Sequence, residues 1–585
     1  MYLNTKHFFE VKKMQLETII HKVQFCVIGG GLAGICAAIS AARHGVKTLI
    51  MQERPMFGGN ASSEVRMWVC GARNCLETGI IEELRLENLY RNPNSNYSIW
   101  DSVLFEKVRF QENLTSLLNC SCLDVEKRDG KIISVTGYQQ TTQCYHKVEA
   151  DYFADCSGDS IVAHLAGAQY RIGREEKDEF GETLAQDKPD RKTMGLSCIL
   201  QAREYATPQK YTPPEWANKY PNHESFPTRG HNLDYYQNFW WLELGGEQDS
   251  IADTETLRDE LLKDAYGIWD HIKNQGDHGA DTWAIDWVGI LPGKRESRRC
   301  IGDFILSEKD VLSGGKFEDI VAYGGWAIDD HHPAGFRHFG KANTNILPEQ
   351  PYGIPLRCLY SKNIDNLLFA GRNISATHTA LSSTRVMATC SLLGQAIGTA
   401  VSCAVSHGNI LPREVAQKHI KEVQNMLLND DCYLPTIKRE CSLLCKNAAL
   451  SGTGRELENL RNGIDRSLNG NINAAVLKAG SKVTYTFSAK EHIKGIRLVF
   501  DSDLSRNPHN MRANYRLDDE PFAVPQTLVK SYHITCGGVE IFRKDDNCQR
   551  LNVIPVDIET SDVTLHIDST WGKEEILLFS FDVIK

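Results

Sequence analysis

The sequence predicts an α/β protein in which a doubly wound domain is split by an inserted α+β domain and followed by a β-sandwich. A buried apolar strand at 23–28 ends in a glycine turn and leads into an alanine-rich helix, which is typical of a doubly wound sheet. A similar strand returns at 366–369, and apolar residues alternate with polar ones beyond 456. A chain of 585 residues has room for about three or four domains, so it can hold all of these units.

The composition excludes several classes of protein. Hydrophobic residues make up 42% and charged residues 24% of the chain, which is usual for globular domains with buried cores. The net charge of −10 argues against nucleic acid or an anionic membrane as a partner. The 18 cysteines lie mostly in apolar runs and lack the spacing of zinc or iron–sulfur ligands. We therefore expect buried thiols, no metal site and a reducing cytoplasm, without a signal sequence or membrane span.

Changes in amino-acid composition along the chain predict the domain boundaries. Residues 170–344 are rich in tryptophan, polar residues and loop signals, unlike the segments on either side. The predicted units are an N-terminal extension (1–22), a nucleotide-binding domain in two parts (23–168 and 345–410), an inserted substrate domain (169–344), a helical connection (411–455) and a β-sandwich (456–585).

The first strand, turn and helix open a βαβ unit. The predicted helix over 32–44 ends at a glycine, and a second strand follows at 46–51. Residues 80–120 are predicted to be mainly helical, and 120–156 to form short strands with a hairpin turn at Asp129-Gly130. The opening of the chain is therefore Rossmann-like.

The turn after the first strand carries a dinucleotide-binding pattern. Gly29 permits the tight turn, Gly31 lets a pyrophosphate approach the backbone, and Gly34 lets the helix pack on the strand. The free amides of the helix N-terminus favour an anion. Glu53 follows the second strand, where a carboxylate accepts hydrogen bonds from ribose hydroxyls.

Three further turns carry a family resemblance. The segment 54–63 is a second glycine turn that resembles the pyrophosphate loop of fumarate-reductase-like and glutathione-reductase-like flavoproteins. The turns at 155–159 and 366–372 resemble two other turns of that superfamily. The resemblance implies FAD as the cofactor. It places Arg54, Gly58, Gly59, Asn60, Ser62, Asp159, Gly371 and Arg372 at the cofactor, together with Glu53.

A narrower resemblance covers residues 23–405. The segments 295–299, 324–329, 352–357 and 373–378 resemble the FAD-dependent oxidoreductases of the "FAD_oxidored" group, common in bacteria near carbohydrate-degrading enzymes. This implies hydride transfer between flavin N5 and a small polar substrate, with a sugar or sugar-derived acid favoured, and an unidentified electron acceptor. A flavin enzyme without net redox chemistry and a carbohydrate-binding protein with a vestigial flavin fold remain the alternatives.

The helix predicted over 385–405 follows the last glycine turn. In the family, this helix directs its N-terminus at the flavin pyrimidine ring, where its dipole stabilises the charge of the reduced flavin. Small residues that include Gly394 allow close packing of the helix on the sheet, and Gly394 is assigned to the cofactor site.

Three side chains are the candidates for chemistry. His378 follows the last glycine turn and titrates near neutrality, so it is the leading acid/base, with a purely structural histidine as the alternative. Arg385 has a predicted carboxylate or flavin partner. Arg66 either faces the substrate or forms a surface ion pair. The basic run 295–299 either clamps a substrate carboxylate or forms local salt bridges. His331 resembles a metal ligand in type, but its neighbour His332 should point elsewhere.

The C-terminal region has two interpretations. Its short alternating strands and its entry at 462–466 resemble galactose-binding-like modules, which implies carbohydrate binding. Packing or homo-oligomerisation is the alternative role.

Overall fold

The computed structural model describes residues 16–225, 228–233, 237–276 and 278–585. The predicted extension 1–22 therefore lies partly outside the described residues. The first region contains strands β1 (Thr18–Ile28), β2 (Thr48–Met51), β3 (Leu114–Leu117), β4 (Cys120–Arg128), β5 (Lys131–Gln139) and β6 (Cys144–Asp155), with helices α1 (Leu32–Arg43), α2 (Ile80–Arg91), α3 (Tyr97–Arg109) and α4 (Ile161–Ala166).

These strands form one mixed sheet in the order β3-β2-β1-β6-β5-β4. Strands β3, β2, β1 and β6 are parallel to one another. Phe25 of β1, for example, lies opposite Thr48 of β2 and Tyr152 of β6. β4 and β5 extend the sheet as the antiparallel hairpin predicted at Asp129-Gly130. β1 begins at Thr18 rather than Val23, because Thr18 already pairs with β6.

The inserted region has many short strands and its own core. Trp241, Trp269 and Trp283 are buried there against aliphatic residues. Its strands are β7 (Tyr170–Arg171), β8 (Leu196–Ser197), β9 (Leu200–Glu204), β10 (Glu243–Leu244), β11 (Trp283–Val288), β12 (Gly293–Lys294), β13 (Arg299–Cys300), β14 (Ile320–Gly324), β15 (Ile328–His331), β16 (Asn343–Ile346) and β17 (Tyr352–Pro355). Its helices are α5 (Lys177–Phe180), α6 (Thr254–Asp270) and α7 (Glu308–Ser313). The strands pair antiparallel in small sheets.

The chain then returns to the first sheet. β18 (Leu367–Phe369) pairs parallel with β6. It is followed by helices α8 (His378–Thr384), α9 (Met387–Ser406), α10 (Pro412–Lys418), α11 (Ile420–Asn429) and α12 (Leu443–Asn447). The helix predicted from Arg385 begins at Met387 instead, because Val386 is extended and Arg385 ends α8.

Helix α9 packs closely on α1. A Cβ at Gly394 would lie 1.9 Å from the Ala33 carbonyl oxygen, so only glycine fits at this crossing. α9 is long and apolar enough to cross a membrane, but 94% of its most apolar window is buried inside the protein.

The C-terminal region is an antiparallel sheet of β19 (Ala449–Gly452), β20 (Ala475–Lys478), β21 (Lys482–Phe500), β22 (Val529–Cys536), β23 (Val539–Lys544), β24 (Leu551–Thr570) and β25 (Glu575–Ile584). The period-two pattern predicts this all-β character correctly. The sheet begins at Ala449, inside the predicted connection 411–455, because β19 pairs with β21.

A loop of the C-terminal region reaches back to the first two regions. The Asn514 side-chain oxygen accepts from the Ala202 amide at 2.9 Å, and the Tyr515 amide donates to the Ala202 carbonyl at 2.9 Å. The Tyr515 hydroxyl donates to the carbonyl of Ser95 at 3.0 Å. Met511 is buried in the core of the first region. The three regions therefore share walls around one cavity.

Candidate functional site

A cavity of about 650 Å³ runs from the first glycine turn to the inserted region. Its wall includes Gly31 of the first glycine turn (the cofactor end), the ion pair of Asp159 with Arg372, and the His331 and Arg385 side chains (the far, charged end). This volume lies within the usual range of about 300–1,000 Å³ for small-molecule sites. The cavity therefore joins backbone turns to a cluster of charged side chains.

At the first end, two glycine turns lie side by side. The Gly58 amide donates to the Gly30 carbonyl at 2.8 Å, and the Gln52 side chain accepts from the Gly30 amide at 2.7 Å. A Cβ at Gly31 would meet nothing closer than 3.9 Å and would occupy the cavity itself. Within the described residues no side chain caps the N-terminus of α1. Its amides are therefore available to an anion.

The end of β2 supplies the neighbouring wall. Glu53 lines the cavity with a side chain that is 61% exposed, so its carboxylate can accept from a ligand. Arg54 lies beside it, 3.6 Å from Glu64. Asn60 also lines the cavity and donates to the Lys294 carbonyl at 3.2 Å, which joins the second glycine turn to the inserted region.

The cavity wall around Asp159 is cationic. Asp159 binds Lys294 and Arg372, each at 2.7 Å, and its carbonyl accepts from Arg298 at 2.9 Å. Burial disfavours the carboxylate, but Arg372 and Lys294 outweigh it and lower the pKa of Asp159 to about 2. The Nε atoms of Arg298 and Arg372 are buried and have no hydrogen-bond partner within the described part of the chain. Three cations around one carboxylate leave this stretch suited to an anionic ligand.

The far end is a chain of charged pairs. Arg295 lies 3.4 Å from Glu243, which lies 2.6 Å from Nδ1 of His331. Nε2 of His331 is 3.4 Å from Asp329, and Arg385 binds that carboxylate at 3.1 Å. Burial favours a neutral Asp329, but His331 and Arg385 outweigh it and lower its pKa. All except Glu243 line the cavity.

The sequence profile of the FAD dependent oxidoreductase family matches residues 24–427. The chain belongs to this family. FAD is accordingly its cofactor, and the enzyme is an FAD-dependent oxidoreductase. No curated protein sequence matches the chain significantly.

Solved structures resemble the FAD-dependent oxidoreductase at low identity. A p-nitrophenol 4-monooxygenase of Pseudomonas putida has 10% identity and a TM-score of 0.30, covering 70% of this chain and 85% of its own. A geranylgeranyl bacteriochlorophyll reductase-like protein of Thermoplasma acidophilum has 13% identity and a TM-score of 0.28, covering 70% and 86%. A family 32 carbohydrate-binding module of Streptococcus pneumoniae EndoD has 13% identity and a TM-score of 0.19, covering 25% and 99%.

The cavity fits FAD in two respects. It has an open N-terminus of α1 beside Gly31, which suits a pyrophosphate, and buried guanidinium nitrogens of Arg298 and Arg372 that lack protein partners among the described residues. The N-terminus of α9 also reaches the wall, at Val386 and Met387. These residues would hold the cofactor.

Most of the predicted cofactor residues line this one cavity. Gly29, Gly31, Glu53, Arg54, Gly58, Gly59, Asn60, Asp159, Gly371 and Arg372 all line the cavity. Gly34, Ser62 and Gly394 lie behind the wall. A Cβ at Gly34 would lie 1.8 Å from the Gly29 carbonyl oxygen, and the Ser62 hydroxyl donates to the Gly59 carbonyl at 2.8 Å. These three residues are therefore not among those that line the cavity.

His378 lies away from the main cavity. It lines a separate cavity of about 130 Å³, and its ring nitrogens lie 2.9 Å from Glu296 and 3.0 Å from Asp330. Burial disfavours the imidazolium, but Glu296 and Asp330 outweigh it and raise the pKa of His378 to about 10. A histidine held as a cation by two carboxylates is poorly suited to exchange protons near neutral pH.

Arg66 also lies apart from the cavity. It has a positive φ of 58° and donates to Gln201 at 2.8 Å, with its guanidinium over the rings of Tyr97 and Trp287. These contacts join the first region to the inserted one. Arg385, by contrast, lines the cavity and has the carboxylate partner expected for it.

The basic run 295–299 forms the salt-bridge network that was one of its two predicted roles. Glu296 lies 3.3 Å from Arg299, and Arg299 lies 2.8 Å from Glu175. Only Arg295 and Arg298 of this run reach the cavity wall.

Several cavity residues have no local signal in the sequence. Asn238 and Trp240 come from the inserted region, and His509 comes from the C-terminal region, with its ring centre 4.5 Å from that of Trp68. His331 stands in the conspicuous run 329–332, which indicates a site but not its chemistry.

Proposed function

We propose that this FAD-dependent oxidoreductase transfers a hydride between flavin N5 and a small polar substrate bound at the Arg295–Arg385 end of the cavity. A sugar or a sugar-derived acid is the favoured class. The observation that supports this most directly is the chain of charged groups at that end, whose members other than Glu243 line the same cavity as the glycine turns. Bound FAD supplies a two-electron acceptor or donor.

The charged end can bind and orient such a substrate. Arg295 is buried and already fixed by the Ser197 hydroxyl and the Trp240 carbonyl, each at 2.8 Å. Arg385 lines the same cavity, and its Nε has no hydrogen-bond partner among the described residues. Asn345 adds an amide to the same wall. Cations and amides of this kind suit carboxylates and hydroxyl groups.

His331 is the proposed proton donor and acceptor in place of His378. His331 lines the main cavity, whereas His378 lines the separate one. Glu243, at 2.6 Å from Nδ1, fixes the orientation of the His331 ring, and Asp329 is more distant from Nε2, at 3.4 Å. The cysteines of this wall are less suited, because burial raises the pKa of Cys70 and Cys390 to about 12 and keeps them as thiols.

Anaerobic stopped-flow mixing tests this proposal. Sugars, uronic acids and other hydroxy acids are mixed with the FAD-loaded enzyme, and a substrate should bleach the oxidised-flavin absorbance persistently. His331→Ala should slow the bleaching by about 100-fold, as loss of a general base does. The neighbouring His332→Ala is the control. Turnover without bleaching would favour the non-redox alternative and overturn the proposal.

A further inference from the structure

Four histidines of the inserted region meet in one cluster. They are His223 in a single helical turn, His231 in the following loop, His271 directly after α6, and His278 beyond it. One ring nitrogen of each lies within 4.8 Å of those of the other three. None of the four is among the residues that line the FAD cavity. The cluster is therefore separate from the site described above.

The four rings form a nearly regular tetrahedron. Their six centroid distances all fall between 4.7 and 5.4 Å. In a tetrahedral zinc site with Zn–N bonds of about 2.0–2.1 Å, ring centres lie about 3.2 Å from the ion and so about 5.2 Å apart. All six ring-centroid distances in the cluster are close to this value.

Backbone carbonyls fix the protonation of two rings. Nδ1 of His231 lies 2.8 Å from the Arg229 carbonyl, and Nδ1 of His271 lies 2.8 Å from the Tyr220 carbonyl. Because a carbonyl only accepts, each Nδ1 must carry the proton, which leaves a lone pair on Nε2 in the neutral ring. Such a bond from the far nitrogen is the usual support of a metal-binding histidine.

The remaining nitrogens are turned toward one another. Nε2 of His231 lies 3.0 Å from Nδ1 of His223, and Nε2 of His271 lies 3.0 Å from Nε2 of His278. Two lone pairs therefore face the centre of the cluster. We propose that these four histidines bind one divalent transition-metal ion, with Zn²⁺ as the first choice.

The ligand set indicates a structural ion. Four imidazoles suit zinc and its neighbours among the transition metals. Since the protein fills all four positions of a tetrahedron, none stays open for a substrate, unlike in catalytic zinc sites. The ion joins the segment 223–231 to the end of α6, two parts of the chain that are distant in sequence.

The proposed ion would be connected to the FAD cavity through the loop that follows His231. The Trp241 indole donates to the Gly230 carbonyl at 2.7 Å, beside the ligand His231. Asn238 and Trp240, in the same loop, line the cavity. Loss of the ion should therefore loosen that wall without removing any group that touches FAD.

Metal analysis of the untagged holoenzyme tests the proposal. After loading with Zn²⁺ and dialysis against metal-free buffer, we expect about one zinc per chain by inductively coupled plasma mass spectrometry. With Co²⁺ instead, the visible spectrum should have the intense bands of a tetrahedral site. His223→Gln should weaken Zn²⁺ binding by about 100-fold, since a four-ligand site divides its affinity among its ligands.

A matched double variant provides the control. His332 and His338 stack in the same region with ring centres 3.7 Å apart but lie outside the cluster, so H332Q/H338Q should keep the zinc. Because His223 is exposed, its substitution should leave the fold intact, and retention of bound flavin checks this. Zinc below one tenth of an equivalent in the loaded wild-type protein would overturn the proposal, as would equal loss in both variants.

Discussion

The two ends of the FAD cavity are built in different ways. The cofactor end is made of backbone turns, where the Gly58 amide binds the Gly30 carbonyl and Gly31 leaves space for a ligand. The far end is made of paired side chains, such as Glu243 with His331 inside the inserted region, and Asp329 of that region with Arg385 at the end of α8. The shape of the cofactor end therefore depends on the absence of side chains from its turns. The shape of the far end depends on how its side chains are positioned relative to one another.

The difference separates two kinds of sensitivity. A turn fails when an atom is added, because the space is already defined by neighbouring backbone. A buried network of charges fails when an atom is removed, because the remaining partner keeps its charge without water. Substitutions at the two ends should therefore differ in what they change first, cofactor affinity or stability.

The largest effect is expected behind the charged end, at His378. His378→Gln removes a cation that is buried between Glu296 and Asp330, and it should lower the free energy of unfolding by about 3–5 kcal/mol. Denaturant unfolding of both proteins across pH measures the difference. A raised folded-state pKa of about 10 gives stability that is fully present below the unfolded value near 6.5 and lost as the pH rises toward 10.

A histidine outside such a pair is the control for that result. His164 is exposed, and its ring nitrogen Nδ1 lies 3.1 Å from the Tyr170 hydroxyl, so His164→Gln should change stability by less than about 0.5 kcal/mol. If the His378→Gln deficit were the same at pH 6 and pH 10, the charge of this imidazole would not be its cause.

Gly31→Ala tests the cofactor end. The added methyl group meets no protein atom closer than 3.9 Å but enters the cavity, so FAD should bind about 10- to 100-fold more weakly while the apoprotein unfolds nearly as before. Flavin-fluorescence titration measures the affinity. Gly45→Ala is the matched control: its methyl group meets nothing within 4 Å, and its positive φ of 84° costs about 1 kcal/mol of stability without touching FAD.

This contrast also explains what the sequence could predict. The glycine turns, the hairpin at Asp129-Gly130 and the returning strand at Leu367–Phe369 depend on neighbouring residues, so their patterns are local. Because these patterns are local, the sequence alone predicts which residues form the cavity wall at the cofactor end. The sequence predicts neither helix α8 nor the extended Val386 that separates it from α9, because Val386 has no proline or glycine signal.

The charged end depends on long-range pairs. Glu243 and His331 meet only after the inserted region folds, and no spacing in the chain indicates which histidine will face the cavity. The place of His378 after a glycine turn predicts an acid/base role, yet Glu296 and Asp330 hold it in a separate cavity. Tertiary pairing decides such roles, and a single sequence does not specify it.

Arg385→Gln probes the charged end directly. The variant keeps a polar side chain on the cavity wall but loses the ion pair with Asp329, so KM for an acidic substrate should rise about 10-fold with FAD affinity unchanged. Steady-state kinetics with a substrate found by flavin bleaching measures it. Arg413→Gln removes a half-exposed pair with Asp303 and should leave KM alone; an equal rise in both variants would contradict the assignment.

The smallest effect is expected at His509, where the C-terminal region meets the cavity. Its ring lies against Trp68, and loss of such an aromatic contact is worth about 0.5–1.5 kcal/mol, so His509→Ala should lower kcat/KM about 2- to 10-fold. Burial lowers the pKa of His509 to about 4, so the imidazole is neutral between pH 6 and 8 and the effect should not vary with pH there. His492→Ala, at an exposed position of β21 in the same C-terminal region, should have no effect. Identical kinetics for His509→Ala and the wild-type enzyme would mean that the C-terminal loop only covers the cavity, and that the charged end binds its substrate without that loop.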